Sequence, residues 1–190
     1  MQSEFSNARR GWQALAAAAV VAVLGVAPAP ALGATTGGVG DGAAPPAAPP
    51  QTTPGAQAEL LPSGDAVPPA GAPPQVVRAI EFANRINEKP YKWGGGHGSW
   101  KDKGYDCSGA VSYALHGAGR KVLKAPMPSG SFMSWGLPGE GEWISVYANK
   151  GHMYAVIAGL RWDTSGGAGP RWHEDERSPA GYTIRHPEGL

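Results

Sequence analysis

The sequence predicts an α+β domain, helices first and an antiparallel sheet after them. Three observations predict it. Apolar residues recur at helical spacing around residue 80, apolar runs of strand length dominate residues 142–185, and residues 34–74 carry almost nothing to bury.

Taken in order, residues 1–33 read as a secretory signal. Arg9 and Arg10 precede an uncharged apolar run, residues 14–27, and then small residues up to Gly33. A positive start, a short apolar stretch and a small-residue cleavage site are what export requires, and cleavage is expected after Gly33 or Ala34. The other reading of this run is a retained anchor, but it falls short of the roughly 20 apolar residues that a bilayer crossing needs. The arginine pair lacks the flanking context of a twin-arginine signal. No cysteine stands near the cleavage site to carry a lipid.

Residues 34–74 are mostly Ala, Pro, Gly and Thr and hold much of the excess behind the totals of Gly 29 and Pro 19. Such a stretch cannot offset its own ordering entropy, and its prolines favour extended polyproline II, so a disordered spacer is expected. That leaves residues 75–190 as the folded domain, about 115 residues and enough for one core.

Within it, Val76, Val77, Ile80, Ala83 and Ile86 share one helical face, and Pro90 is the expected stop. The glycines of residues 94–104 make a loop. A second helix is expected to begin near Asp106 to Ser108 and to run to His116, with Gly117 and Gly119 as its C-terminal stop. Residues 129–135 suggest a short helix. Residues 142–147 and 152–160 read as strands joined by a turn at Asn149-Lys150-Gly151. A third strand, residues 161–164, follows a turn at Gly159-Leu160, and residues 181–185 form the last.

Charge and cysteine content narrow the function. Lys and Arg number 16 against 15 Asp and Glu, which excludes nucleic-acid binding driven by bulk charge. A single cysteine, Cys107, excludes an internal disulfide framework and a Cys-rich zinc site. Cys107 falls in the first turn of the second helix, where unpaired N–H groups and the helix dipole favour an anion, and the thiolate is the nucleophilic form of cysteine. The same position, facing Val111, Ala114 and Leu115, also suits a cysteine that is only a small hydrophobe.

A thiolate nucleophile needs a base, and histidine fits near neutral pH. His97, His116, His173 and His186 lie in surroundings typical of surface histidines. His152 opens the most apolar strand directly after the Gly151 turn, where a sheet would hold it rigidly and leave it accessible; a satisfied core histidine fits the same place. Such a pair usually carries a third polar group that fixes the imidazole. With a Gly159-Leu160 loop, Val156 pairs with Asp163, so Asp163 shares the face of His152, four residues away along the pairing row. Thr164 replaces it if the turn slips.

Three segments, PYKWGG, GYDCSG and GHMYAVIAG in that order, resemble the NlpC-type (NlpC/p-sixty) cell-wall cysteine peptidases over about residues 76–163. The tail, RWDTSGGAGPRW to RHPEGL, is similar to an exported actinobacterial branch. The resemblance implies a papain-like core, with the cysteine helix packed on a small antiparallel sheet. It also implies hydrolysis of amide bonds in peptidoglycan stem peptides, commonly the γ-D-glutamyl–diamino acid bond. It casts Cys107 as nucleophile and His152 as base. Tyr91 would lie near the oxyanion and substrate backbone, and Asp106 and Ser108 would hold the substrate's polar backbone or amino group. Neither metal nor cofactor is implied. The expected protein is a secreted monomer that acts on stem peptides and keeps no stable membrane association after signal cleavage. A related N-acetylmuramoyl-L-alanine amidase, or a non-catalytic wall-binding domain, are the alternatives. The sequence departs from the family in three places: Trp100, Lys101 and Asp102 lengthen the stretch before GYDCSG, Ala110 replaces a larger aliphatic, and Asp163 stands where His, Asn or Gln is usual. The many tryptophans suit core packing, or a groove in which one or two indoles stack on glycan.

Overall fold

Two short strands, β1 (Glu59–Leu60) and β2 (Ala66–Val67), open the part of the chain that the computed structural model describes, residues 57–190. The expected signal segment and residues 34–56 of the expected spacer lie outside the described residues. The boundary expected at Gln75 moves, because residues 57–73 belong to the folded domain. Ala58, Ala66 and Val67 are buried. The Asn84 side chain accepts from the Ala66 N–H at 3.0 Å and donates to its carbonyl at 2.9 Å. The Ala58 N–H reaches the Ala158 carbonyl at 2.8 Å. Composition misleads here because a segment with few apolar groups still orders when a neighbouring surface satisfies its backbone.

Helix α1 (Pro74–Asn84) starts with proline in its first turn, where the missing N–H costs nothing. It ends before Pro90: the Ile86 N–H bonds the Ala83 carbonyl, a tighter final turn. Helix α2 (Cys107–Ala118) lies against α1. A Cβ on Gly117 would overlap the Phe82 side chain, so that glycine sets how closely the helices approach. A single turn, α3 (Ser129–Phe132), is shorter than residues 129–135 suggested.

The remaining strands are β3 (Leu137–Pro138), β4 (Ile144–Ala148), β5 (Met153–Ile157), β6 (Leu160–Asp163), β7 (Arg171–His173) and β8 (Thr183–His186). They form one antiparallel sheet in the order β3-β8-β4-β5-β6-β7. The expected α+β class therefore holds. The sheet packs on α2 chiefly through β5 and β6. Ile80, Leu115, Ile144, Met153 and Ile157 are fully buried in the common core of helices and sheet, each contributing about 1.5–3 kcal/mol of transfer free energy.

One turn differs from expectation in a way that matters. The β5–β6 loop is Ala158-Gly159, not Gly159-Leu160, and Val156 pairs with Arg161. Both loop residues have positive φ, 47° at Ala158 and 80° at Gly159, as a tight type I′ hairpin requires. Alanine rarely adopts that conformation, so the sequence carries no turn signal at residue 158.

Candidate active site

Asp106 is the N-cap of α2 and accepts from the Gly109 N–H at 2.7 Å. It also accepts from the Gly94 N–H at 3.0 Å and the Ser108 hydroxyl at 3.0 Å, with His97 Nε2 at 3.1 Å. The glycine loop thereby docks on the first turn of α2, and a Cβ on Gly109 would overlap the Gly95 carbonyl. The glycines in WGG and DCSG are thus two sides of one close backbone contact. Cys107 is the first residue of the helix so positioned, partly exposed and with no disulfide partner. The first helical bond runs from the Ala110 N–H to the Asp106 carbonyl. The Cys107 N–H is therefore one of the helix's unpaired N-terminal donors.

His152 stands one residue before β5, at the end of the sheet. Asn149 builds the turn before it, accepting from the Gly151 N–H at 2.9 Å and the His152 N–H at 2.8 Å. The imidazole lies between two partners. Its Nε2 is 2.9 Å from Asp163 Oδ1, and the Cys107 thiol is within hydrogen-bonding reach. With Nε2 committed to Asp163, Nδ1 is the nitrogen left for the thiol. The bond to Asp163 first, and then that to Cys107, pushes the His152 pKa up to about 9 against the pull of burial.

Continued one residue beyond the Ala155–Trp162 pair, the observed register brings Asp163 level with Tyr154, nearer His152 than the four residues expected from a Gly159-Leu160 loop and on the same face. Asp163, not Thr164, makes the bond. Its side chain is fully buried, which alone would raise its pKa, yet its bonds from His152 and Ser165 hold the carboxylate well below its ordinary range. The next residue back, Trp162, faces the other side and donates from Nε1 to the Ala110 carbonyl at 3.2 Å, tying the strand that carries Asp163 to the helix that carries Cys107.

Tyr91 lies close enough to feel the charges of Cys107 and Asp106, which add to burial in raising its phenol pKa. It stays 43% exposed, and its N–H bonds the Ala168 carbonyl at 2.6 Å. The structure thus groups Cys107, His152, Asp163 and Tyr91. Asp106 and Ser108 adjoin them but bond one another and His97, with Ser108 Oγ 3.0 Å from His97 Nε2. Sequence reasoning missed His97, whose glycine-loop setting carries no signal of a partner. It also missed Arg161, Ser165 and Arg177 around Asp163. Trp162 and Trp172 are core residues, whereas Trp93 is 85% exposed. Trp100 stacks on His116 with centroids 3.9 Å apart. Among the described residues no helix is long and apolar enough to cross a membrane.

The chain is similar to the peptidoglycan endopeptidase RipB of Mycobacterium tuberculosis, in both strain CDC 1551 / Oshkosh and strain ATCC 25618 / H37Rv, at 32% identity over 110 residues. The match covers 46% of this chain and 45% of RipB, so the chain spans less than half the length of the relatives it matches. No family model matches, and no solved structure gives a significant match.

Proposed function

We propose that this chain is a secreted peptidoglycan hydrolase, a thiol endopeptidase of the NlpC type with a papain-like core, cutting stem-peptide amide bonds at the γ-D-glutamyl–diamino acid linkage. The observation that carries this reading is the line Cys107–His152–Asp163, built on the first turn of a helix and the end of a sheet. The partial likeness to RipB, named a peptidoglycan endopeptidase, supports the substrate class.

In this reading Cys107 gives its proton to His152 and the thiolate attacks the scissile carbonyl. Negative charge gathers on the carbonyl oxygen beside the Cys107 N–H and Tyr91, where the helix N-terminus favours it. The imidazolium, held in orientation by Asp163, donates its proton to the leaving amine as the C–N bond breaks, leaving an acyl-enzyme. His152 then takes a proton from water, whose oxygen attacks the thioester, and the thiol is restored. Asp106 and Ser108 form the rigid wall of the site, and substrate polar groups meet that wall beside Cys107.

The test is digestion of purified peptidoglycan by the full chain, with released fragments identified by mass spectrometry and Cys107→Ala as control. Fragments cut after D-glutamate, absent in the variant and unaffected by chelators, are expected. Intact stem peptides freed from glycan would mark an N-acetylmuramoyl-L-alanine amidase instead. Metal dependence would overturn the mechanism. No product from a folded protein would make the chain a wall-binding domain.

A further inference from the structure

Asp163 is held by more groups than an orienting carboxylate needs. Oδ1 accepts from His152 Nε2 at 2.9 Å and the Ser165 N–H at 3.0 Å. Oδ2 accepts from Arg161 Nη1 at 2.7 Å, Arg177 Nη1 at 2.9 Å and the Ser165 hydroxyl at 2.6 Å. Two guanidinium groups therefore share one carboxylate oxygen whose side chain is wholly buried. Arg161 is itself buried and is fixed from outside by Asp175, which accepts from Nη2 at 2.8 Å and, through its carbonyl, from Nε at 3.1 Å.

Arg177 comes from elsewhere. It belongs to the segment between β7 and β8, far along the chain from both Cys107 and His152. Its guanidinium lies 5.5 Å from the Tyr154 ring centroid and 5.7 Å from that of Tyr182, and Nη1 also donates to Ser165 Oγ at 2.7 Å. Two aromatic faces, a hydroxyl and a carboxylate hold one cation in one place. A cavity of about 340 Å³ opens behind it, with Tyr147, Tyr154, Arg161 and Arg177 among its walls.

We propose that Arg177 is a positioning residue for the hydrolysis, acting through Asp163: it locks the carboxylate toward His152 and withholds part of its negative charge from the imidazole. This rests on the reading of Cys107, His152 and Asp163 given above. A lone buried aspartate against imidazolium makes a tight ion pair that keeps its proton and donates it poorly to a leaving amine. Two cations on the far oxygen weaken that hold, so the imidazole acts as an acid in one step and a base in the next. The groups facing the pair are Cys107 from α2, Tyr154 from β5, Arg161 from β6, His173 from β7 and Arg177. Of the two cations, Arg177 is the one that can be removed without emptying the core, since about a third of its side chain is exposed and the Arg161 side chain is 8% exposed.

The experiment compares full-length wild type, Arg177→Gln and Arg177→Lys. The His152 ring is titrated by nitrogen-15 NMR, and cleavage of purified peptidoglycan is followed against pH. In Arg177→Gln the His152 titration and the alkaline limb of kcat are expected to move up together by about half to one pH unit. kcat at pH 8 is expected to fall about five- to tenfold with KM unchanged. Arg177→Lys should restore most of the limb. An Arg177→Gln titration that stays put or moves down, in a protein of unchanged fold, overturns the proposal. The NMR readout needs no turnover, so a wild type that shows no cleavage would count against the endopeptidase reading while the response of His152 to Arg177 is still measured.

Discussion

Two histidine–aspartate pairs flank Cys107, and their aspartates are held by different groups. His97 Nε2 lies 3.1 Å from Asp106, and His152 Nε2 lies 2.9 Å from Asp163. Both aspartates are buried. Asp106, however, is occupied by the backbone N–H groups of Gly94 and Gly109 and by Ser108, so its carboxylate closes a loop onto a helix. Asp163 is held from behind by Arg161, Ser165 and Arg177, and its free direction points at an imidazole that also touches the thiol. A histidine–aspartate contact is therefore no signature of catalysis by itself. What separates the two is which other groups hold the aspartate, and what meets the second ring nitrogen.

The sharpest way to break this comparison is Asp163→Asn. Its carboxylate is the first of the influences keeping a proton on His152, which holds that proton up to about pH 9. Cleavage is expected to persist up to that pH and to fall above it. In Asp163→Asn the alkaline limb should move down toward the ordinary imidazole value near 6.5, with a rate loss of about a hundredfold or more. The pH–rate profile checks both. The pair also links to stability. A raised His152 pKa contributes stability that is complete below about pH 6.5 and lost as pH rises through about 9, so the urea midpoint should decline across that window.

Asp106→Ala acts on the other pair and should be read first in stability. It removes an N-cap and leaves the Gly94 N–H without its partner, so a loss of about 2–3 kcal/mol is expected by urea unfolding. The folded fraction should still have a His152 that titrates as in wild type. If Asp106→Ala moved the His152 titration as far as Asp163→Asn does, the two pairs would not be separate devices. Asn84→Ala lies farther out. It unties β2 and the Trp172 indole, whose Nε1 donates to Asn84 at 2.8 Å, and should cost about 1–2 kcal/mol without changing the pH profile. Ser165→Ala, which removes one of several bonds to Asp163, should lower the rate only a few-fold.

Much of the first pair's side of the molecule was legible in the sequence. A helix start near Asp106, a cysteine in its first turn and glycines before and after are local signals, and local signals survive in a linear reading, although the capping role of Asp106 and its bond to His97 came only with the structure. The face of His152 was legible too, because period-2 alternation preserves parity even when the loop is misplaced, as it was at Ala158-Gly159. The distance from Asp163 to His152 was not legible, because it depends on a turn built on an alanine with φ 47°. Arg177 was still less so: it reaches Asp163 from across the β7–β8 connection, and nothing near it in sequence marks the contact. Residues 57–73 were misread for a related reason, since the groups that order them sit on α1 and the β5–β6 loop.

The most direct measurement compares His152→Ala and His97→Ala in one peptidoglycan digestion at the same pH, with the fold of each checked by circular dichroism. The account predicts no cleavage from His152→Ala and a rate within about threefold of wild type from His97→Ala. A folded His97→Ala as inactive as His152→Ala, or a His152→Ala that still cleaves, would contradict it.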